Sequence, residues 1–239
     1  MNRRVAIHQP HYLPWLGYLA KWAAADVFVF LDVVQYERSG WQNRNRVKTA
    51  TGPQWLTVPV HAPLGTSIAA VSVDNARPWR ARHLRTIVQS YATAPYLERY
   101  RRGLEALYAE QWEHLAPLAV ASAQWLGRAV GIAVPAYLAS ALAVAAADPT
   151  ERLIAICRAV GADVYLAGRD GARYLDRRRF DAAAIAVEFQ TYRHPVYAQM
   201  HGEFVPSLSA VDLLLMHGDG ALRILRSGDA WSSEPAREP

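Results

Sequence analysis

Cysteine and lysine are the scarce residues of this chain. A single thiol, Cys157, can close no internal bridge, so the fold must hold without disulfides, which fits a reducing compartment. Only Lys21 and Lys48 are lysines, so the formal charge of +5 is carried almost wholly by arginine. Arginine over lysine, with abundant alanine, can follow genome base composition, and the basic residues are scattered rather than drawn into one stripe with stacking aromatics. A nucleic-acid partner is therefore not expected, and an acidic small substrate fits the charge equally well. Long apolar runs are also missing: no stretch approaches the roughly 20 residues that cross a bilayer, so no membrane partner is expected. Near the start, Val5-Ala6-Ile7 stops at His8, too short for a signal-peptide core, and the expected location is cytoplasmic.

Several chemical signatures are absent as well. There is no Gly-x-Gly-x-x-Gly, no P-loop, no His-Glu-x-x-His and no paired His/Cys spacing, so no cofactor and no metal are expected. Without a Gly-x-Ser-x-Gly elbow, a hydrolase triad has little support. What remains is a chain of 239 residues, 52% hydrophobic, long enough for one sizeable domain or for a core domain carrying an insertion.

The pattern of apolar residues predicts an α/β fold. Val5-Ala6-Ile7 reads as a buried strand, Gly17 to Ala25 as a helix with an apolar face, and Val27 to Leu31 as a second strand, together a βαβ unit of a parallel sheet covered on both faces. Ligands of such sheets lie beyond the strand carboxyl ends, here His8 to Pro10 and Asp32 to Gln35. Residues 54–60 and 68–73 read as two strands, a hairpin or an edge pair. From Trp79 to Leu142 three helices are predicted, broken at Pro95 and near Pro117, although Pro117 can equally start a helix. Asp148-Pro149-Thr150-Glu151 signals another helix, capped by Gly161, and Val164 to Ala167 and Ile185 to Phe189 follow as strands. Leu213 to Met216 belongs to a C-terminal helix. The expected organisation is one α/β domain over residues 1–228 with a helical insertion at about 79–145, then a disordered tail at 229–239.

Polar chemistry gathers in four places. His8-Gln9-Pro10-His11-Tyr12-Leu13-Pro14-Trp15 and Tyr18 place imidazoles, an amide and aromatics at the end of the first strand, with prolines restricting the backbone around them. His8 is the candidate base, though it could instead cap the strand by bonding a neighbouring carbonyl. Trp41-Gln42-Asn43-Arg44-Asn45-Arg46-Val47-Lys48 packs three amides and three cations into eight residues, a surface suited to hydroxyls, amides and anions, or else a solvated loop. Gly168-Arg169-Asp170-Gly171 ends a strand and could hold an anion or simply turn. His194-Pro195-Val196-Tyr197 is a further polar cluster. Cys157 lies among hydrophobes, as a core thiol does.

At these clusters the chain resembles the WbqC-like family over about residues 4–225. The resemblance rests on Ile7-His8-Gln9-Pro10-x-Tyr12-Leu13-Pro14-Trp15-Leu16-Gly17-Tyr18, Phe30-Leu31-Asp32-x-x-Gln35-Tyr36 and Trp41-Gln42-Asn43-Arg44-Asn45. Gly161-Ala162-Asp163-x-Tyr165-Leu166-x-Gly168, Tyr174-Leu175, His194-Pro195-x-Tyr197 and Leu208-Ser209-x-x-Asp212 extend it. Val34 departs from the pattern, where a second acid after Asp32 is expected. The resemblance implies acyl or aminoacyl transfer to an amine of a sugar or related acceptor, in surface-polysaccharide (O-antigen) or secondary-metabolite biosynthesis. The donor would be a small molecule or carried, an acyl carrier protein being one candidate. A fainter likeness to nucleotidylyltransferase-like Rossmann folds places Trp15-Leu16-Gly17-Tyr18 where those enzymes carry His-x-Gly-His. It implies a Rossmann-like parallel core, and leaves a nucleotide-using enzyme or a non-catalytic sugar-binding protein as alternatives.

The site expected from all of this has His8, Gln9 and Asp32 as catalytic residues. Tyr12, Trp15, Tyr18, Gln35, Trp41, Gln42, Asn43, Arg44, Asn45, Gly168, Arg169 and His194 are expected to bind substrate. His8 would be the base, Gln9 with Asn43 or Asn45 the oxyanion donors, and Arg44 with Arg169 the anion holders.

Overall fold

The computed structural model describes residues 2–173 and 175–234, without the side chains of Asp170 and Ala172. The motif residue Tyr174 and residues 235–239 of the expected tail lie outside it.

The first strand, β1 (Arg4–His8), leads through a proline-bounded turn into α1 (Leu16–Ala23) and back into β2 (Val27–Phe30). Next come an antiparallel hairpin of β3 (Arg44–Thr49) and β4 (Gly52–Thr57) and a short pair of β5 (Val60–His61) and β6 (Ser72–Val73). Three helices follow, α2 (Trp79–Ser90), α3 (Leu97–Ala109) and α4 (Leu115–Val130), and then β7 (Ala136–Leu138). The remainder runs α5 (Pro149–Ala159), β8 (Val164–Ala167), α6 (Arg177–Ala182), β9 (Ala186–Gln190), α7 (Ala210–His217), α8 (Ala221–Ser227) and β10 (Trp231–Ser232).

The central sheet has six strands in the order β10-β9-β8-β1-β2-β7, all parallel except β10. Its central strands carry unbroken apolar runs, Val5-Ala6-Ile7, Val27–Phe30 and Val164–Ala167, because both faces are covered there. Val5, Ile7, Val29 and Tyr165 pack with Ile154 and Cys157 of α5 and Phe180 of α6. The alternate residues Ala6, Phe28, Phe30 and Leu166 pack with α1, α4, α7 and α8. Cys157 is fully buried there, and burial pushes its thiol up to about 12, so it is an inert core group. Among the described residues no helix is long and apolar enough to cross a membrane.

After β1 the chain moves outward to β2 and β7, then returns to the other side of β1 to lay down β8 and β9. The connections on the two sides of β1 thus run in opposite directions, opening a crevice at the carboxyl ends of β1 and β8, the place where open parallel sheets bind ligands.

Local signals explain several boundaries. The Asp148 carboxylate accepts from Glu151 N at 2.9 Å with Pro149 at the first helical position, and Gly161 takes a φ of +66° just past the same helix. Pro117 sits in the first turn of α4, where its missing N–H has no intrahelical partner to lose.

Three expectations are corrected. The hairpin expected between residues 54–60 and 68–73 survives only as the short β5/β6 pair, Ile68–Ala70 being a 3₁₀ turn. The main partner of 52–57 is instead 44–49, so half of the expected polar loop is a strand. Its alternation was disguised because polar residues are buried on both faces of Arg44–Thr49, Asn45 on one and Lys48 on the other. Ala136–Leu138, inside the stretch expected to be helical, is an edge strand paired with Phe28–Phe30 and too short for a periodic signal. Finally, Trp231 and Ser232, in the expected disordered tail, pair with Gln190 and Phe189, and the Arg4 guanidinium lies 5.4 Å from the Trp231 ring centre.

Candidate functional site

A cavity of about 870 Å³ opens at the carboxyl ends of β1, β8 and β9. That volume falls in the range of small-molecule sites, roughly 300–1,000 Å³. His8 ends β1 on the same face as Ala6, so its ring turns toward α1 and meets Tyr18 at 4.6 Å and His11 at 4.7 Å. Tyr18 and Lys21 stand three residues apart on α1 and so share one helix face. Gly17 has to be glycine because a Cβ there would collide with the Trp15 ring folded over the first turn. His11, Tyr18 and Lys21 are buried, whereas Gln35, Trp41 and Arg169 form an exposed rim.

The turn between β1 and α1 is strained and held from outside. Leu13 carries a φ of +43°, a conformation that costs a side-chain-bearing residue about 1–3 kcal/mol. Its N–H donates to Ser122 Oγ of α4 at 2.9 Å, and its carbonyl accepts from Asn45 Nδ2 of β3 at 2.7 Å. Tyr12 N donates to the Gln42 carbonyl at 3.1 Å, and Gln42 Nε2 donates to Gln9 Oε1 at 2.7 Å. The two polar clusters of the sequence are therefore bound directly to each other.

Only some of the expected site residues line the cavity. His8, Gln9, Trp15, Tyr18, Gln35 and Trp41 do, joined from β8 by Gly168 and Arg169. The others are placed elsewhere. Asp32 accepts from Ser140 N at 3.0 Å and Ser140 Oγ at 2.6 Å, anchoring the end of β7, so the expected catalytic carboxylate is occupied away from the cavity. The Tyr12 hydroxyl bonds His83 and Tyr108 in the core. Asn43 Nδ2 donates to the Val58 carbonyl at 2.8 Å, and like Asn45 it is a backbone brace rather than an oxyanion donor. Arg44 turns outward over Trp55, 4.5 Å from the ring, and bonds the Ser39 and Gly40 carbonyls, so it holds no anion in the cavity. His194 stacks behind Trp15 without lining the cavity, and Gln42 supports Gln9 from behind.

Other lining residues were not anticipated. Arg152 and Leu153 come from the start of α5, Gln190 ends β9 and Tyr192 follows it, Val34 stands where an acid was expected, and Lys21 of α1 lines the cavity while only 2% exposed. The one available signal for Lys21 was compositional: in a chain that uses arginine on its surface, both lysines are buried.

The electrostatics favour neutral imidazoles. Burial, then His11 and Lys21, hold His8 well below the usual histidine value. Burial and then Lys21 lower His11 to about 3. Burial lowers Lys21 to about 7. His8 Nδ1 faces the Gln9 carbonyl at 3.2 Å. A carbonyl only accepts, so Nδ1 carries the proton and Nε2 presents a lone pair.

Fold and cavity together define an α/β protein with a cavity of small-molecule size at the carboxyl edge of a mostly parallel sheet. The sequence model of the WbqC-like protein family matches residues 9–224, and the chain belongs to that family. It is similar to the uncharacterized protein Rv1507c of Mycobacterium tuberculosis, 33% identical over 236 residues that cover 94% of this chain and 98% of the other. No solved structure matches the chain.

Proposed function

We propose that the protein is a cytoplasmic transferase that moves an activated acyl or aminoacyl group onto an amine of a sugar or related acceptor, in surface-polysaccharide or secondary-metabolite biosynthesis. The observation that carries this reading is a neutral imidazole, His8, with Nε2 unoccupied in a cavity rich in amides and aromatics. The amine nitrogen attacks the acyl carbon, a C–N bond forms, and the bond to the leaving group breaks with its electron pair departing on the carrier. His8 Nε2 takes the proton released by the amine. The Gln9 amide, held by Gln42 through its oxygen, turns its nitrogen to the developing oxyanion. Trp41 and Tyr192 offer faces to a sugar ring. An acyl carrier protein is a fitting donor.

The test is turnover. Purified protein is incubated with acyl thioesters or aminoacyl donors and a panel of amino sugars, and N-acylated product is followed by mass spectrometry. His8→Gln is expected to lower kcat by about 10²–10⁴, the usual worth of a positioned base. A folded variant with full turnover refutes His8 as the base.

A second reading, a nucleotidylyltransferase-like enzyme on a Rossmann-like core, draws support from the sheet order and the crevice between β1 and β8. Thermal shifts with ATP or CTP and magnesium, compared with acyl carriers, separate the two. Ligand binding with no turnover of any donor would instead favour a sugar-binding protein.

A further inference from the structure

The buried charges of the cavity do not balance. Lys21 is 2% exposed, yet among the described residues its ammonium meets only the Ile7 carbonyl, at 2.9 Å, and the face of Tyr165, at 5.9 Å. Among the described residues no carboxylate pairs with it. A cation at this depth is costly to hold unless its charge is met. The groups around it are His8 and His11 from the turn, Tyr18 from α1 and Tyr165 from β8, none of them an acid. Arg152 and Arg169 add positive charge to the cavity, and among the described residues that line it the one acid is the exposed Glu37.

Unused hydrogen-bonding capacity points the same way. His11 is 7% exposed and lines the cavity, and its Nδ1 has no partner. The Tyr18 hydroxyl lies toward the His11 backbone without a hydrogen bond of good geometry. A Cβ placed on Gly168 would stand 3.9 Å from Lys21 Nζ, so the absence of a side chain there keeps the space beside the ammonium open. Buried polar atoms without partners are uncommon in folded proteins, and here two of them belong to residues that line the cavity beside the Lys21 ammonium.

We propose that the inner end of the cavity binds an anionic oxygen group of the substrate, a carboxylate or a phosphate-type ester, through the Lys21 ammonium, with the Tyr18 hydroxyl and the Nδ1–H tautomer of His11 as further donors. This deepens the transferase reading by naming the chemistry that seats its substrate, and it moves the anion contact from Arg44 to Lys21. Since burial lowers Lys21 to about 7, binding an anion above that pH draws a proton from solvent onto its amine.

The test is calorimetric titration of the full chain with sulfate and with acetate at fixed ionic strength. Both probes keep their charge between about pH 6 and about pH 8.5, so any change belongs to the protein. One of them is expected to bind at one site, about 30-fold more weakly at the higher pH, with up to one proton taken up per anion when two buffers of different ionisation heat are compared. Preference for sulfate identifies a phosphate-type group, and preference for acetate a carboxylate. Lys21→Met is expected to weaken binding at least about 10-fold, and the proton uptake of the unaltered protein tests the same claim if that variant fails to fold. Absence of binding below about 100 mM at the lower pH, or binding without pH dependence or proton uptake, overturns the proposal. A protein that binds sulfate in this manner yet transfers no acyl group leaves the anion site standing and refutes the transferase reading alone.

Discussion

The turn from His8 to Tyr18 and the segment from Trp41 to Asn45 are equally dense in polar and aromatic residues, yet they are used differently. In the turn, His8 Nε2, His11 Nδ1 and the Tyr18 hydroxyl are left open beside a cavity. In the segment, Asn43, Asn45 and Arg44 are committed to other parts of the chain, Gln42 donates to Gln9 while its buried Oε1 has no partner but does not line the cavity, and only Trp41 reaches the cavity. Motif density marks both a site and its supports, and unfilled hydrogen-bonding capacity on residues that line the cavity tells them apart.

The sharpest way to break this comparison is to alter one residue of each kind and measure stability and turnover together. His8→Gln should give the largest effect, a loss of about 10²–10⁴ in kcat with little change in melting temperature. Asn45→Ala should do the reverse and act first on stability. Removing the amide that pins the Leu13 carbonyl is expected to cost about 1–3 kcal/mol, or about 2–4 °C in Tm per kcal/mol, read by thermal unfolding. An Asn45→Ala protein of unchanged Tm that loses activity outright would place Asn45 among the site residues instead.

Lys21 gives a smaller effect with a definite sign. Its folded pKa, near 7, lies below the unfolded value of 10.5, so between these values the unfolded chain binds the extra proton and stability rises with pH. Denaturation of the protein without ligand should show this as a slope approaching about 1.4 kcal/mol per pH unit, absent from Lys21→Met. The buried His8 and His11, also lowered, act in the same sense at lower pH: stability is lost as pH falls through the unfolded histidine value of 6.5 toward their folded values. Smallest of all, Arg44→Ala should change stability by no more than about 0.5 kcal/mol and leave sulfate binding intact, because its contacts are on the surface.

Much of the central sheet was legible because β1, β2 and β8 are short apolar runs bounded by turn residues, and α5 carries its own start and stop signals at Asp148-Pro149 and Gly161. The β3 strand was not, since polar residues are buried on both of its faces, Asn45 on one and Lys48 on the other, and no apolar–polar alternation shows. Strands of two or three residues, such as Ala136–Leu138 and Trp231–Ser232, are recruited by neighbours already in place and carry little pattern of their own. At the site, His8 and Gln9 could be picked out by where β1 stops. Asp32 looked catalytic because it also follows a strand, but its partner Ser140 comes from a segment 108 residues away that no local pattern connects to it. Lys21 was hidden for the opposite reason: on α1 it occupies a position where a basic residue near a helix end needs no explanation.

The kinked backbone at Leu13 is gripped by one residue from α4 and another from β3, elements that join the chain long after the turn itself. An N-terminal fragment that contained every ring and amide of the turn would lack both grips and relax to an ordinary φ. Ligand capture is thus available only to a chain whose distant helix and hairpin have already docked, which makes affinity for a small molecule a readout of completed folding.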